Sequence, residues 1–235
     1  MPIVEFNSVS YVKDGQDILA DVTFSLGQNR VGIVGQNGSG KTSLLRLMSG
    51  LVAPTGGAIL IDGIDPAVDR KAAIEKIGVL FQNPDHQIIF PTVEEEIAFG
   101  LKERGLSPHV VVEKTQGILA RFGKAHWAEK SCQTLSGGQR HLLCLMAVLV
   151  LEPEVIILDE PYAGLDIPTR LFLQRIFETL PQQIIHVTHE LDNVTGYDRV
   201  IWIADGTVRQ DGPADVVLAD YAAEMAVLGA RDAFA

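Results

Sequence analysis

Basic residues are scarce. Nineteen lysines and arginines stand against 30 acidic residues in a chain of 235, a formal net charge of −11. A general nucleic-acid surface would have to be built against that mean field, so DNA and RNA are not expected partners, and the acidity itself serves solubility. Cysteine is almost missing as well: Cys132 and Cys144 are the only two. They lie too far apart for a C-x-x-C site, a reducing compartment disfavours pairing them, and packing is their expected role. Long apolar runs are also lacking. The longest, residues 142–151, stops at Glu152-Pro153-Glu154, well short of the roughly 20 residues a membrane-spanning helix needs. The opening Met1-Pro2-Ile3-Val4-Glu5 has neither a basic n-region nor an apolar h-region, which predicts a protein that stays in the cytoplasm. What is plentiful is core material: 47% of residues are hydrophobic and 21% charged, enough for one large α/β domain or two small ones.

The most informative stretch is Gly35-Gln36-Asn37-Gly38-Ser39-Gly40-Lys41-Thr42-Ser43. It fits the phosphate-binding pattern G-x-x-x-x-G-K-[ST], preceded by the apolar run 31–34 and followed by Leu44, Leu45, Leu47 and Met48 at helical spacing. Glycines at positions 35, 38 and 40 let the backbone turn with its N–H groups inward, and a helix starting near Lys41 adds the positive end of its dipole. Lys41 can then reach the β and γ phosphates, and the Thr42 hydroxyl can ligate Mg²⁺.

Around this loop the chain reads as strands and helices in alternation. Ile3 to Val9 and Ile18 to Leu26 alternate apolar and polar residues around Asp14-Gly15, predicting an antiparallel arm. Tyr11 falls in the expected connection, where an exposed ring could stack on a base. A short strand is expected at residues 58–62, a short helix at 71–76, and a buried strand at 77–81 running into Gln82-Asn83-Pro84-Asp85; a polar amide at the carboxyl end of a parallel strand is where open α/β sheets place ligand contacts. From residue 86 to 151 helical signals take over. Thr92 and Glu95 form a capping box before Val93, Ile97 and Leu101, and Ser107-Pro108 opens a second helix through Val111, Thr115, Ile118, Leu119 and Phe122.

Leu135-Ser136-Gly137-Gly138-Gln139 follows, with Ser136 set to cap the apolar helix 142–151. A cap explains the serine. It does not explain two glycines, which cost stability unless the backbone must come close to something, so a second anion site is expected here. Residues 155–160 form a continuous apolar run ending in Asp159-Glu160, the pattern of a buried parallel strand with two carboxylates at its tip. Asp159 suits a Mg²⁺ ligand and Glu160 a general base. Asp166 precedes a helix begun by Pro168 and carrying Phe172, Ile176 and Leu180. Residues 183–188 read as the next strand, with His189 at its end. His186 and His189 point to opposite faces of a strand, which argues against zinc. A closing hairpin at 200–208 and one helix over 214–229 complete the chain.

Together these motifs resemble the ATP-binding-cassette ATPases over residues 1–212, in the order and spacing that family shows. Coiled-coil repair and chromosome ATPases share the motifs but carry long heptad insertions, which this sequence lacks. Phe81 to Asp85 with Gln87, then Pro91-Thr92-Val93-Glu94-Glu95-Glu96-Ile97-Ala98-Phe99-Gly100, is similar to the segment after the glutamine loop of energy-coupling-factor importers, which take up vitamins and cobalt or nickel. The short carboxyl end, Leu165-Asp166-Ile167-Pro168-Thr169 and Arg140-His141-Leu142 look more like the biotin type. Tyr162 departs from the usual Thr or Phe.

The resemblance implies an α/β fold: a P-loop NTPase (RecA-like) core with an antiparallel β arm over residues 1–85 and 152–212, a helical subdomain inserted at 86–151, and a helical tail at 213–235. It implies ATP and Mg²⁺ as cofactors. Tyr11 would stack the adenine, residues 35–43 would hold the phosphates, and Thr42, Gln82 and Asp159 would arrange Mg²⁺. Glu160 would activate water and His189 steady the γ-phosphate. Ser136 and Gly138 would come from a second ATPase subunit, a homodimer being favoured, with Gly137, Gln139 and Asp166 also at the nucleotide. The expected partners are a transmembrane coupling subunit and a substrate-binding membrane subunit, which would place the protein peripherally on the cytoplasmic face of the membrane. Glu94 to Glu96 would either pair with arginines of that partner or form a solvated helix start. The competing reading is a soluble cassette ATPase serving assembly or scaffolding.

Overall fold

The computed structural model describes residues 4–230. Ile3, the start of the first expected strand, and residues 231–235 of the expected tail lie outside the described residues. The chain forms two units, one made of the residues up to 76 together with those from 183 onward, the other of residues 77–182.

The first unit opens with β1 (Val4–Lys13) and β2 (Gln16–Leu26), followed by β3 (Arg30–Val34), α1 (Lys41–Met48), β4 (Gly56–Ile61) and α2 (Arg70–Lys76). The second contains β5 (Ile77–Leu80), α3 (Val93–Glu103), α4 (Pro108–Arg121), α5 (Gly137–Leu149), β6 (Val155–Asp159) and α6 (Ile167–Thr179). The chain then returns to the first unit with β7 (Gln183–Thr188), β8 (Arg199–Ala204), β9 (Thr207–Gly212) and α7 (Ala214–Ala230).

In the first unit β1 is the middle strand of an antiparallel sheet, flanked by β2 and β4. Its alternation buries Val4, Phe6 and Val9 on one face, with Phe6 stacked 4.4 Å from Phe24. The arm is longer than its alternation suggests: β1 runs on to Lys13, so Tyr11 lies within the strand opposite Leu19 rather than in the connection. Register shifts after Phe6 and Val9 mark bulges that hide the period-two signal there. β3 pairs in parallel with both β7 and β8. All six residues of β7 are buried, as expected of a strand covered on both faces. α7 closes this unit by packing Val217, Leu218 and Tyr221 on Val34, Val200 and Trp202.

In the second unit β5 and β6 pair in parallel, and α5 supplies the core of the helical part. Leu142, Leu143, Leu145, Met146, Val148 and Leu149 are all buried; a helix apolar nearly all round is a buried helix. It begins at Gly137, directly after its cap Ser136, several residues earlier than its apolar run. In α6 the buried stripe is Leu173, Phe177 and Leu180, whereas Phe172 is exposed. Phe172, Ile176, Leu180 and Leu173, Phe177, Leu180 both have helical spacing, so the periodicity allowed either. The packing of Phe177 against Tyr162, centroids 5.9 Å apart, decides between them.

Candidate functional site

At the carboxyl end of β3 the chain turns sharply at Gly35. A Cβ there would sit 2.3 Å from the Ile203 carbonyl oxygen, and one on Gly40, which has a φ of 106°, would sit 2.7 Å from Leu19 Cδ2. Both positions exclude side chains for reasons internal to the fold. Gly40 is also the N-cap of α1 and offers no side-chain hydrogen bond, so the first N–H groups of that helix remain for a ligand. Lys41, buried, donates from Nζ to the carbonyl oxygens of Gly35 at 2.7 Å and Gln36 at 2.9 Å, which holds the ammonium across the loop. Gln36, Asn37, Gly38 and Thr42 are exposed and Ser43 half-buried, while the buried Ser39 Oγ has no hydrogen-bond partner among the described residues.

Two further candidates share this unit. The parallel register Val34↔Thr188 places His189, which is exposed, beside the first residue of the loop. Tyr11 is half-buried and paired with Leu19, the residue that touches Gly40, so it lies one strand from the loop. His186 takes another role: it is fully buried, with Nδ1 3.1 Å from the Tyr197 hydroxyl.

The second unit assembles the rest. The register Leu80↔Leu158 brings Gln82, exposed, and Asp159 and Glu160, both half-buried, to the carboxyl ends of neighbouring strands. Glu160 adopts a φ of 45°, a left-handed conformation that costs a residue with a Cβ about 1 kcal/mol and collects at functional sites. The bulk of Tyr162 is absorbed beneath it: the ring is 7% exposed and lies between Phe177 and the Arg170 guanidinium, 5.6 Å away. Asp166 caps α6 by accepting from the Thr169 N–H at 3.0 Å. Hydrogen bonds from the Thr169 side chain and backbone hold its carboxyl below the usual range.

Ser136 and Gln139 form a reciprocal capping box. The Ser136 Oγ accepts from the Gln139 N–H at 3.3 Å, and Gln139 Oε1 accepts from the Ser136 N–H at 2.9 Å. The two glycines between them differ. A Cβ on Gly138 would lie 2.6 Å from Thr169 Cγ2, so packing within the chain already explains it, whereas nothing lies within 4 Å of a Cβ on Gly137. Only Gly137 keeps the expectation that a ligand demands the glycine.

The acidic run at the start of α3 is also more committed than its composition suggests. Glu95 completes the capping box with Thr92. Glu96 is buried and its Oε2 accepts from the Ile89 and Phe90 N–H groups, both at 2.8 Å. Glu94 alone is exposed. Sequence reasoning used His141 only as part of the biotin-type resemblance and gave it no role at the site; its polar ring inside an otherwise apolar helix was the available signal.

The family model described as ABC transporter matches residues 19–163, more than half of the chain. This chain belongs to the ABC transporter family. It is an ATP-binding-cassette ATPase with the P-loop fold of that family. It is similar to the biotin transport ATP-binding protein BioM of Rhodobacter capsulatus, 45% identical over 228 residues and 97% of each chain. The protein of the same name from Rhizobium etli is 38% identical over 93% of this chain and 97% of its own. Among solved structures cbiO1 of Clostridium perfringens, described as part of the ABC transporter complex cbiONQ, superposes with a TM-score of 0.80 at 30% identity, covering 96% of this chain and 94% of that one.

Proposed function

We propose that this ABC ATPase is the motor subunit of an energy-coupling-factor importer of biotin. The observation that carries this reading is the 45% identity to a biotin transport ATP-binding protein across 97% of both chains, with neither chain holding a large segment the other lacks. Biotin is preferred to cobalt or nickel on the same ground. In this reading the protein sits peripherally on the cytoplasmic face of the membrane, as a homodimer bound to a transmembrane coupling subunit and a substrate-binding membrane subunit.

Residue roles follow from chemistry. The N–H groups of residues 36–43 and the Lys41 ammonium bind the phosphates of ATP, and Tyr11 stacks the adenine. The Thr42 hydroxyl, Gln82 amide oxygen and Asp159 carboxylate are hard oxygen donors of the kind Mg²⁺ takes; Thr42 and Gln82 are exposed and Asp159 is half-buried. A bound Mg²⁺ would neutralise charge on the β and γ phosphates. Glu160 accepts a proton from the attacking water, and His189 donates a hydrogen bond to the γ-phosphate. Ser136, Gly137 and Gly138 of the signature segment, residues 135–139, close over the nucleotide of the other subunit, with Gln139 and Asp166 supporting them. Gly137 supports this assignment, because none of the described residues requires a glycine there.

Glu160→Gln tests the chemistry. It should keep ATP binding and slow turnover roughly 10²- to 10⁴-fold; unchanged hydrolysis would remove Glu160 from the role of base. Co-purification with a polytopic membrane protein and ATP-dependent biotin uptake test the transport reading. A stable soluble complex without a membrane partner would favour the assembly-ATPase alternative.

A further inference from the structure

Three side chains on one side of α5 reach the segment that follows β5. Arg140 Nε lies 3.0 Å from Asp85 Oδ1, His141 Nε2 3.3 Å from the Gln82 carbonyl oxygen, and Cys144 Sγ 4.0 Å from the Pro84 carbonyl oxygen. His141 is the centre of this set. It is 4% exposed, and its Nδ1 lies 3.1 Å from the carbonyl oxygen of Gly137, the first residue of α5. The ring of a residue in α5 thus lies against the carbonyl oxygen of Gln82, just beyond β5, and against that of Gly137 in its own first turn.

A polar ring in such a place needs an explanation. Its neighbours Leu142, Leu143 and Leu145 are buried and apolar, and burying an imidazole instead of another leucine costs free energy unless its nitrogens are hydrogen-bonded. A neutral imidazole carries one N–H; with the proton on Nε2 it donates to the Gln82 carbonyl oxygen, 3.3 Å away. Arg140 and Cys144 meet the residues that follow, Asp85 and Pro84, so the segment 82–85 touches α5 at three side chains.

We propose that His141 is a positioning residue that fixes the Gln82 segment to α5, so that Gln82 and the Ser136–Gly138 segment keep one mutual arrangement through turnover. This rests on the reading of Gln82 and the signature segment given under Proposed function. The ring touches neither substrate nor reacting atoms in that reading. The tie concerns how Gln82 and the signature segment are held relative to each other, so turnover is its readout.

The test is steady-state ATP hydrolysis by the full chain carrying His141→Leu, His141→Gln or Gln82→Ala, with backbone amide exchange over residues 82–86. His141→Leu keeps an apolar filling but no donor; it should lower kcat about 10-fold, the equivalent of about 1.4 kcal/mol, leave KM for ATP within about twofold, and speed exchange over 82–86. Glutamine, whose amide group carries two N–H donors, should restore both kcat and protection to within about threefold of the native protein. His141→Met replaces His141→Leu if melting shows that the latter does not fold. Native kcat in the apolar variant, or a glutamine variant as impaired as the leucine one, overturns the proposal. If that happens while Gln82→Ala is slow, the role of Gln82 stands and only the tie falls. A Gln82→Ala protein with native turnover removes the reading of Gln82 and the proposal with it.

Discussion

The adjacent glycines at 137 and 138 offer a test in which folding and function should move in opposite directions. Gly137 is the first residue of α5, is exposed, and would have nothing within 4 Å of an added Cβ. Its φ is not positive, so alanine fits without strain. Gly137→Ala should stabilise the protein by about 0.5 kcal/mol, less than the roughly 1 kcal/mol typical of a helix interior, because this is the first helical position. Gly138→Ala meets Thr169 Cγ2 at 2.6 Å and Oγ1 at 2.9 Å, well inside the ~3.5 Å optimum. Overpacking of this kind costs about 1 to 3 kcal/mol, of which the helix gain returns part, for a net loss of about 1 to 2 kcal/mol. Thr169→Ala in the same chain removes both clashing atoms and keeps the Thr169 N–H bond to Asp166, so the double variant should recover most of that loss. Urea denaturation measures all four proteins, and ATP hydrolysis is read on the same samples. If the signature backbone must approach the partner subunit's nucleotide, Gly137→Ala should lose about 10- to 100-fold in kcat while melting no lower than the native protein, since misplacement by about 1 Å costs this much. Native turnover in Gly137→Ala would refute the idea that function requires this glycine. A double variant no more stable than Gly138→Ala would refute the packing explanation of its neighbour.

Ser136→Arg placed in one subunit of a dimer should silence the nucleotide site of the other; Ser136→Ala is the control, since either substitution loses a cap worth about 1 kcal/mol, and loss confined to the mutated subunit's own site would contradict the shared arrangement. Glu96→Ala leaves the Ile89 and Phe90 N–H groups without their carboxylate and should destabilise the protein by about 2 kcal/mol in urea denaturation, discounted for solvent that can reach those amides; a change below about 0.5 kcal/mol would show that the carboxylate does not hold this loop. Burial, with Glu96 the next contributor, raises the thiol pKa of both cysteines, and they are 3% and 1% exposed. Neither should react with iodoacetamide in the native protein at pH 8, and both should react in denaturant; rapid native labelling would contradict their burial.

Much of the site was legible because its chemistry is local. Gly35 to Thr42, the Thr92 capping box and the carboxylates at the end of β6 each follow from short-range rules of turns, caps and strand ends, and each appears where its spacing placed it; Ser136 is a cap as expected, of a helix that begins at Gly137 and not at residue 142. Less legible were features set by contacts between distant residues. The face that α6 buries, the reason for Gly138, the commitment of Glu96 and the bridge made by His141 depend on what the rest of the chain brings alongside. The alternation of β1 failed for a related reason: bulges break the period on which the reading relies.

The sequence by itself determined the class of fold, the phosphate loop and the family resemblance, because the loop's backbone geometry and the strand-end carboxylates are encoded by residues adjacent in the chain. Only the tertiary structure decided which of these residues are already occupied within the chain. It engages Ser136 and Gln139 in a cap and Glu96 in a loop clasp, absorbs Tyr162 between Phe177 and Arg170, and leaves Gly137 as the glycine of the signature segment that none of the described residues requires. The physical reason is that spacing fixes where a side chain starts, but packing fixes what it meets.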